Sequence, residues 1–193
     1  MASEVDICNL ALSHLGDEAT VASISPPEGS AQSAHCARFY PMARDTVLES
    51  HDWSFATKRI TLAETGTAPG NWLYSYSLPA DCLRPIAVLA PGASNDNSED
   101  YIREGDYIYC NTATATLRYV AFITDTTKFT PALVNAISFL LALYLNGPIT
   151  KGEKVLEQKC QGMFGAWLAM AKNADSNAQQ VTSDYKASWM VNR

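Results

Sequence analysis

Apolar residues recur in this chain with three successive spacings. They repeat every three to four residues up to about position 56, alternate with polar residues to about 123, and return to the helical interval from about 130. That order predicts an α+β fold: helices at both chain ends with an antiparallel β-rich region between them. The expected divisions are residues 1–56 and 128–174 for the two helical parts, 57–127 for the β-rich region, and 175–193 for a polar, aperiodic C-terminal tail.

Local signals fill in the elements. Ser3 and Asp6 have capping-box spacing, and Val5, Cys8, Leu12 and Leu15 follow at helical intervals to Gly16. A second helix is expected from near Ser30 to about Ser50, with Pro41 bending it. Residues Lys58–Leu62, Trp72–Leu78 and Leu83–Leu89 read as strands. Pro85 suggests that the last of these is an edge strand or that the proline sits in its first residues, and Pro79 ends the one before it. Tyr101–Arg103 and Tyr107–Tyr109 flank Glu104, Gly105 and Asp106, which is a hairpin pattern. Together with 116–123 these strands suggest a meander. Thr130 and Pro131 begin a strongly apolar helix that Gly147 and Pro148 should stop. Thr150 and Glu153 then look like the capping box of a last helix, with Leu156, Cys160, Met163, Trp167 and Ala171 on its apolar stripe.

Large aromatics mark the expected structural anchors. Trp53 and Phe55 lie where the helical half hands over to the strands, and Trp72, Tyr74 and Tyr76 share one face of a strand. Those three could also form a base-stacking platform. No lysine or arginine interleaves them, however, and the net charge of −6 argues against phosphate-driven binding. The charge is uneven: −6 in residues 1–56, −3 in 57–127, +2 in 128–175 and +1 beyond. An acidic front and a basic back could be complementary surfaces of neighbouring subunits, or simply solvated faces that differ.

No catalytic, cofactor or metal site is expected. The chain contains no HExxH, Gly-x-Ser-x-Gly, P-loop or Gly-x-Gly-x-x-Gly pattern. Its five cysteines form no CxxC pair and read as small buried residues. His35 and Cys36 are adjacent on a helix and therefore point apart. His51 and Asp52 suit a helix C-terminus, where a protonated imidazole is favoured. The acids Glu99, Asp100, Glu104 and Asp106 read as a solvated turn. Charges at Glu4 and Asp6 break any secretory leader, and the apolar run Leu133–Leu145 is shorter than a membrane span needs, so no membrane is expected.

Several strings then occur in a telling order. Phe39-Tyr40-Pro41-x-Ala43-Arg44-Asp45-x-Val47-Leu48 runs into Trp53-Ser54-Phe55-Ala56-x-Lys58-Arg59. Tyr74-Ser75-Tyr76-x-Leu78-Pro79-x-Asp81-Cys82-Leu83-Arg84 follows. Next come Leu117-Arg118-Tyr119-Val120 with Thr124-Asp125, Gly147-Pro148-Ile149-Thr150, and Ser188-Trp189-Met190-x-x-Arg193. Taken as an ordered set covering nearly the whole chain, they resemble the tail tubular protein A family of short-tailed bacteriophages, also described as gatekeeper or head-to-tail adaptor proteins.

The resemblance implies a structural subunit rather than an enzyme, with residues 1–56 and 128–174 joined in one helical bundle, the β-rich 57–127 inserted and projecting from it, and an extended C-terminal tail. Its place would be the virion head-to-tail interface, in a twelvefold homo-oligomeric ring beneath the portal protein. A distal tail nozzle protein and tail fibres are the further partners implied, and genomic DNA would pass through the centre without sequence-specific binding. A portal-facing C-terminal extension would correspond to residues 175–193. Its Tyr185, Trp189, Met190, Val191 and Arg193 suit a groove on the portal or on a neighbouring subunit. Competing readings are a head-completion adaptor of a long-tailed phage and a small hydrolase.

Overall fold

The computed structural model describes residues 2–93 and 97–178. Helices α1 (Glu4–His14) and α2 (Ala31–Glu49) open the chain, and α3 (Pro131–Thr150) and α4 (Lys154–Ala178) close the described part. Between them lie β1 (Thr57–Thr61), β2 (Glu64–Gly66), β3 (Tyr74–Ser77), β4 (Cys82–Leu89), β5 (Ser98–Glu99), β6 (Tyr101–Glu104), β7 (Tyr107–Cys110) and β8 (Thr116–Ala121). The fold is α+β, with helices from both ends of the chain and antiparallel strands between.

The helix starts follow from local chemistry. Ser3 accepts the Asp6 amide at 3.1 Å, and the Asp6 carboxylate accepts the Ser3 amide at 2.8 Å, so two orphan donors are satisfied together. Ser30 caps α2 through the Ser33 amide at 3.1 Å, and the helix continues through Pro41. Thr130 caps α3, with Pro131 in the first turn where its missing amide costs nothing.

α3 is the central helix. It packs against α1, α2 and α4, and Leu133, Ile137, Leu141 and Leu145 are fully buried along it. By length and composition it is long and apolar enough to cross a membrane. Its apolar surface here is largely covered by the other three helices.

Two expectations about the ends of α3 and α4 need correction. Gly147 and Pro148 do not stop α3, because proline's fixed φ is itself helical and only one donor is lost. The helix ends at Lys151, in the left-handed region with φ 59°, and Gly152 follows with φ 76°. Thr150 therefore closes α3 rather than capping α4: its hydroxyl donates to the Asn146 carbonyl at 2.8 Å. α4 also runs past residue 174 to Ala178, so the tail expected from 175 begins with a helical turn.

The strands form two four-stranded antiparallel sheets, ordered β1-β8-β4-β5 and β2-β3-β7-β6, not one meander. The decisive pairing joins Thr57–Thr61 to Thr116–Val120, strands far apart in sequence. β5 covers only Val88 and Leu89 of β4. Pro85 thus lies on a stretch paired with β8 alone and beside a register shift, where a missing donor is tolerated. The hairpin at Glu104–Tyr107 forms as expected, with Gly105 at φ 58°.

A single apolar core runs through helices and sheets, from Ile7, Leu12 and Tyr40 through Trp53 to Tyr76, Val88 and Leu117. Polar ties reinforce the seam. Arg84 of β4 pairs with Asp52 and donates from Nε to the Glu49 carbonyl at 3.1 Å, at the end of α2. Asp81 receives Lys58 Nζ at 2.7 Å and the Tyr119 hydroxyl at 2.9 Å, and the Lys58 ammonium holds its carboxyl below the ordinary range.

His14 makes α1–α3 packing sensitive to pH. Its ring stacks on Phe139 at 3.8 Å between centroids, and Nε2 lies 3.1 Å from Ser138 Oγ. The Ser138 hydroxyl spends its proton on the Asn135 carbonyl at 2.9 Å, so the imidazole donates from Nε2. Burial, aided by Lys159, lowers the His14 pKa. The unfolded chain therefore takes up this proton first. Stability from neutral His14 is present above the unfolded value of about 6.5 and is lost as pH falls through it toward the folded value. Denaturation at pH 7.5 and pH 5 should show His14→Gln losing less stability on acidification than wild type. Equal losses would remove His14 from the acid response.

Candidate assembly site

The turn after α2 is where the two ends of the chain meet. Ala56 and Thr57 amides both return to the Trp53 carbonyl, at 3.0 and 2.9 Å, making one helical turn. The first amides of such a turn have no partner within it. Asp175 of α4 reaches across and accepts the Ser54 amide at 3.1 Å to each carboxylate oxygen, and the Ser54 hydroxyl at 2.5 Å. His51 Nε2 stands 3.5 Å from the same carboxylate, which is only 6% exposed.

Serine, histidine and aspartate together invite a hydrolytic reading. The order is wrong for it, since acyl transfer needs the serine to donate to histidine and the histidine to the carboxylate. Here serine and histidine both contact the carboxylate, and the cluster is a clamp that fixes the last turns of α4. His51 was expected to serve the α2 C-terminus; it pairs with Asp175 instead and meets the Trp53 ring edge-on at 4.8 Å. Asp175 was assigned to the polar tail, of which it is the first residue, and so was not read as part of a site. The signal was present: Cys160, Phe164, Trp167, Ala171 and Asp175 fall at intervals of three or four, which places a carboxylate on the buried stripe.

The anchor residues divide. Trp53 is 1% exposed, and its indole nitrogen donates to the Val47 carbonyl at 3.0 Å. Phe55 is half-buried between Trp53 and Phe129, at 6.0 and 5.9 Å. Tyr76 is buried with its hydroxyl on the Thr112 carbonyl at 2.8 Å, and Tyr74 stacks on it at 6.2 Å. With one ring buried, this pair offers no platform for bases. Trp72 departs from expectation: it precedes β3 in a turn, half-buried and outside the core. The Asn111 side chain takes the adjacent Leu73 amide at 3.0 Å, so strand pairing starts only at Tyr74.

The cysteine and histidine candidates also separate. Cys8 and Cys36 are free thiols that share a hydrogen bond, and that hydrogen bond together with burial pushes the Cys8 thiol well above its ordinary range. His35 lies against Phe39, with ring centroids 6.4 Å apart. Among the described residues no group of three His, Cys, Asp or Glu is placed to hold a metal. Arg44, from the string that carries the resemblance, is buried against the rings of Tyr40 and Phe122 at 5.8 and 4.6 Å, with Nε on Asp45 at 2.8 Å.

α4 itself is sparsely covered. Cys160, Ala171 and Asp175 are its buried positions, and Met163, expected on the apolar stripe, is 38% exposed because Phe164 takes the inward place. Gly162 and Gly165 each weaken a helix interior by roughly 0.5–1 kcal/mol relative to alanine. A Cβ at either would meet nothing within 4 Å. Packing within the described chain therefore gives no reason for them. Tyr185, Trp189, Met190, Val191 and Arg193, the expected partner contacts, lie outside the described residues.

Comparison of the chain with protein-family models and with curated proteins returns no match.

Proposed function

We propose that this chain is a structural head-to-tail connector subunit of a bacteriophage, forming a ring below the portal through which DNA passes. The observation that carries the reading is the ordered set of strings resembling the tail tubular protein A family. Its layout supports the reading: helices from both chain ends join in one bundle around α3, and the intervening strands make two sheets. The same strings supply residues at the seam, among them Arg44, Trp53 and Arg84. A net charge of −6 suits a channel along which DNA slides rather than binds.

In this reading residues 179–193 dock on the portal or a neighbouring subunit, while α4 and its clamp hold the point from which they depart. Mixing the protein with portal rings should convert free chain into twelvefold rings, read by native mass spectrometry and negative-stain images. Deleting 179–193 leaves Asp175 in place, so the melting temperature should stay near that of the full chain while attachment is lost. Free chain that stays monomeric beside portal rings defeats the ring reading. A truncated chain that attaches at full occupancy defeats the docking role.

A further inference from the structure

Two of the five free cysteines touch each other. Cys8 of α1 and Cys36 of α2 share a hydrogen bond, and both are 0% exposed. They sit on the buried stripes of their helices, with Ile7, Ala11 and Leu12 on one side and Ser33 and Tyr40 on the other. The remaining thiols lie elsewhere, on β4, β7 and α4. α1 and α2 each pack chiefly on α3 and come within 8 Å of each other, between Cα atoms, over a short stretch only. The thiol pair therefore marks the place where the first two helices meet. Sulfurs already in hydrogen-bond contact must close to about 2.05 Å to bond, which side-chain rotation and a slight approach of the helices supply.

We propose that Cys8 and Cys36 form a redox lock: a peroxide converts them into a disulfide that ties α1 covalently to α2. The proposal is independent of the connector reading. The contact between the thiols sets the order of events. The Cys8 S–H donates to Cys36, and that bond lowers the Cys36 thiol against the opposing effect of burial, while it raises Cys8. Cys36 is thus the sulfur that reaches the thiolate form and attacks. Hydrogen peroxide is small and uncharged, which suits a pair with no exposed surface. The Cys36 thiolate attacks one peroxide oxygen, the O–O bond breaks, and a sulfenic acid and hydroxide result. The Cys8 sulfur then displaces the sulfenic oxygen, which leaves with the Cys8 proton as water, and the S–S bond forms. Two thiols are oxidised, and the peroxide is reduced to water. In the reduced chain α1 is held mainly by α3. The disulfide closes residues 9–35 into a covalent loop, so the unfolded chain loses freedom and the first helix cannot leave the bundle without α2.

Peptide mapping of the full chain tests this. Reduced protein is treated with hydrogen peroxide under native conditions, then denatured and alkylated. Arg38 is the first basic residue, so trypsin releases residues 1–38 with Cys8 and Cys36 as the only cysteines. That peptide should escape alkylation and be two hydrogens lighter. Further cleavage after Glu18 and Glu28 should leave the Cys8 and Cys36 fragments joined. The melting temperature should rise by about 5–10 °C and return on reduction with dithiothreitol. Cys36→Ala, its fold checked by circular dichroism, should show no such rise. Fully alkylated Cys8 and Cys36 in protein whose half-exposed Cys82 has been oxidised overturns the lock, as does a link that forms only in denaturant. A link that leaves the melting temperature unchanged or lowers it, or a rise that persists in Cys36→Ala, overturns it as well.

Discussion

Trp53→Ala should lower the free energy of unfolding by about 3–5 kcal/mol, the usual range for truncating a buried tryptophan. For a chain of this size that corresponds to a melting temperature lower by on the order of 10 °C. The indole is 1% exposed at the point where α2, the turn to β1 and the aromatic row of His51, Phe55 and Phe129 converge. Alanine leaves a cavity that covalently adjacent elements cannot easily fill. Trp53→Phe separates volume from hydrogen bonding. It removes the indole donor, but the Val47 carbonyl keeps the Ser50 amide at 3.3 Å and the Ser50 hydroxyl at 2.8 Å. Its cost should be much smaller than that of alanine. Thermal and urea unfolding followed by circular dichroism measures both, and an alanine variant melting within a degree or two of wild type would contradict the buried anchor.

Asp175→Ala should cost about 1.5–3 kcal/mol, the range for hydrogen bonds made to a charged group. Ser54 itself is exposed, so water can take up its freed amide and the loss should stay within that range. Asn retains one acceptor oxygen, so Asp175→Asn should fall between alanine and wild type. Hydrogen exchange gives the sharper readout: amides of the last turns of α4 and of residues 53–57 should lose protection together in Asp175→Ala. Faster exchange confined to α4 would mean that the carboxylate stabilises its own helix and does not clamp the turn.

The features legible in the sequence were those decided by neighbours. The Ser3–Asp6 box, the helix start near Ser30, the Thr130 cap, Pro131 and the Glu104–Tyr107 hairpin each depend on residues within a few positions, and each formed. Those decided at a distance were not legible. The pairing of β1 with β8 spans more than fifty residues, and the Asp175–Ser54 bond spans 121. Thr150 shows how a local signal can mislead: the capping-box spacing to Glu153 was real, but its hydroxyl found the Asn146 carbonyl one turn back. Met163 and Phe164 show the same for burial, since two adjacent apolar residues fit one stripe equally well until a partner helix selects between them. For the candidate site, the sequence singled out C-terminal aromatics that lie outside the described residues, while the sparse covering of α4 is a tertiary property that no local pattern encodes.

Pairing β1 with β8 also changes how far apart the halves of the bundle are along the chain. Eighty-one residues separate Glu49 from Pro131. Once the Ala121 amide donates to the Ala56 carbonyl at 2.8 Å, the path around that bond is only about 17 residues. Loop-closure entropy grows with the logarithm of length, so this shortening saves about 1.4 kcal/mol when α3 closes on α2. The strand pair and the Leu62–Ala115 bond beside it set residues 63–114 aside as a loop that rejoins the bundle through β4, where Arg84 holds Asp52 and the Glu49 carbonyl. Insertions or deletions near the turn after Leu89, beyond that tie, should therefore leave the four helices in register.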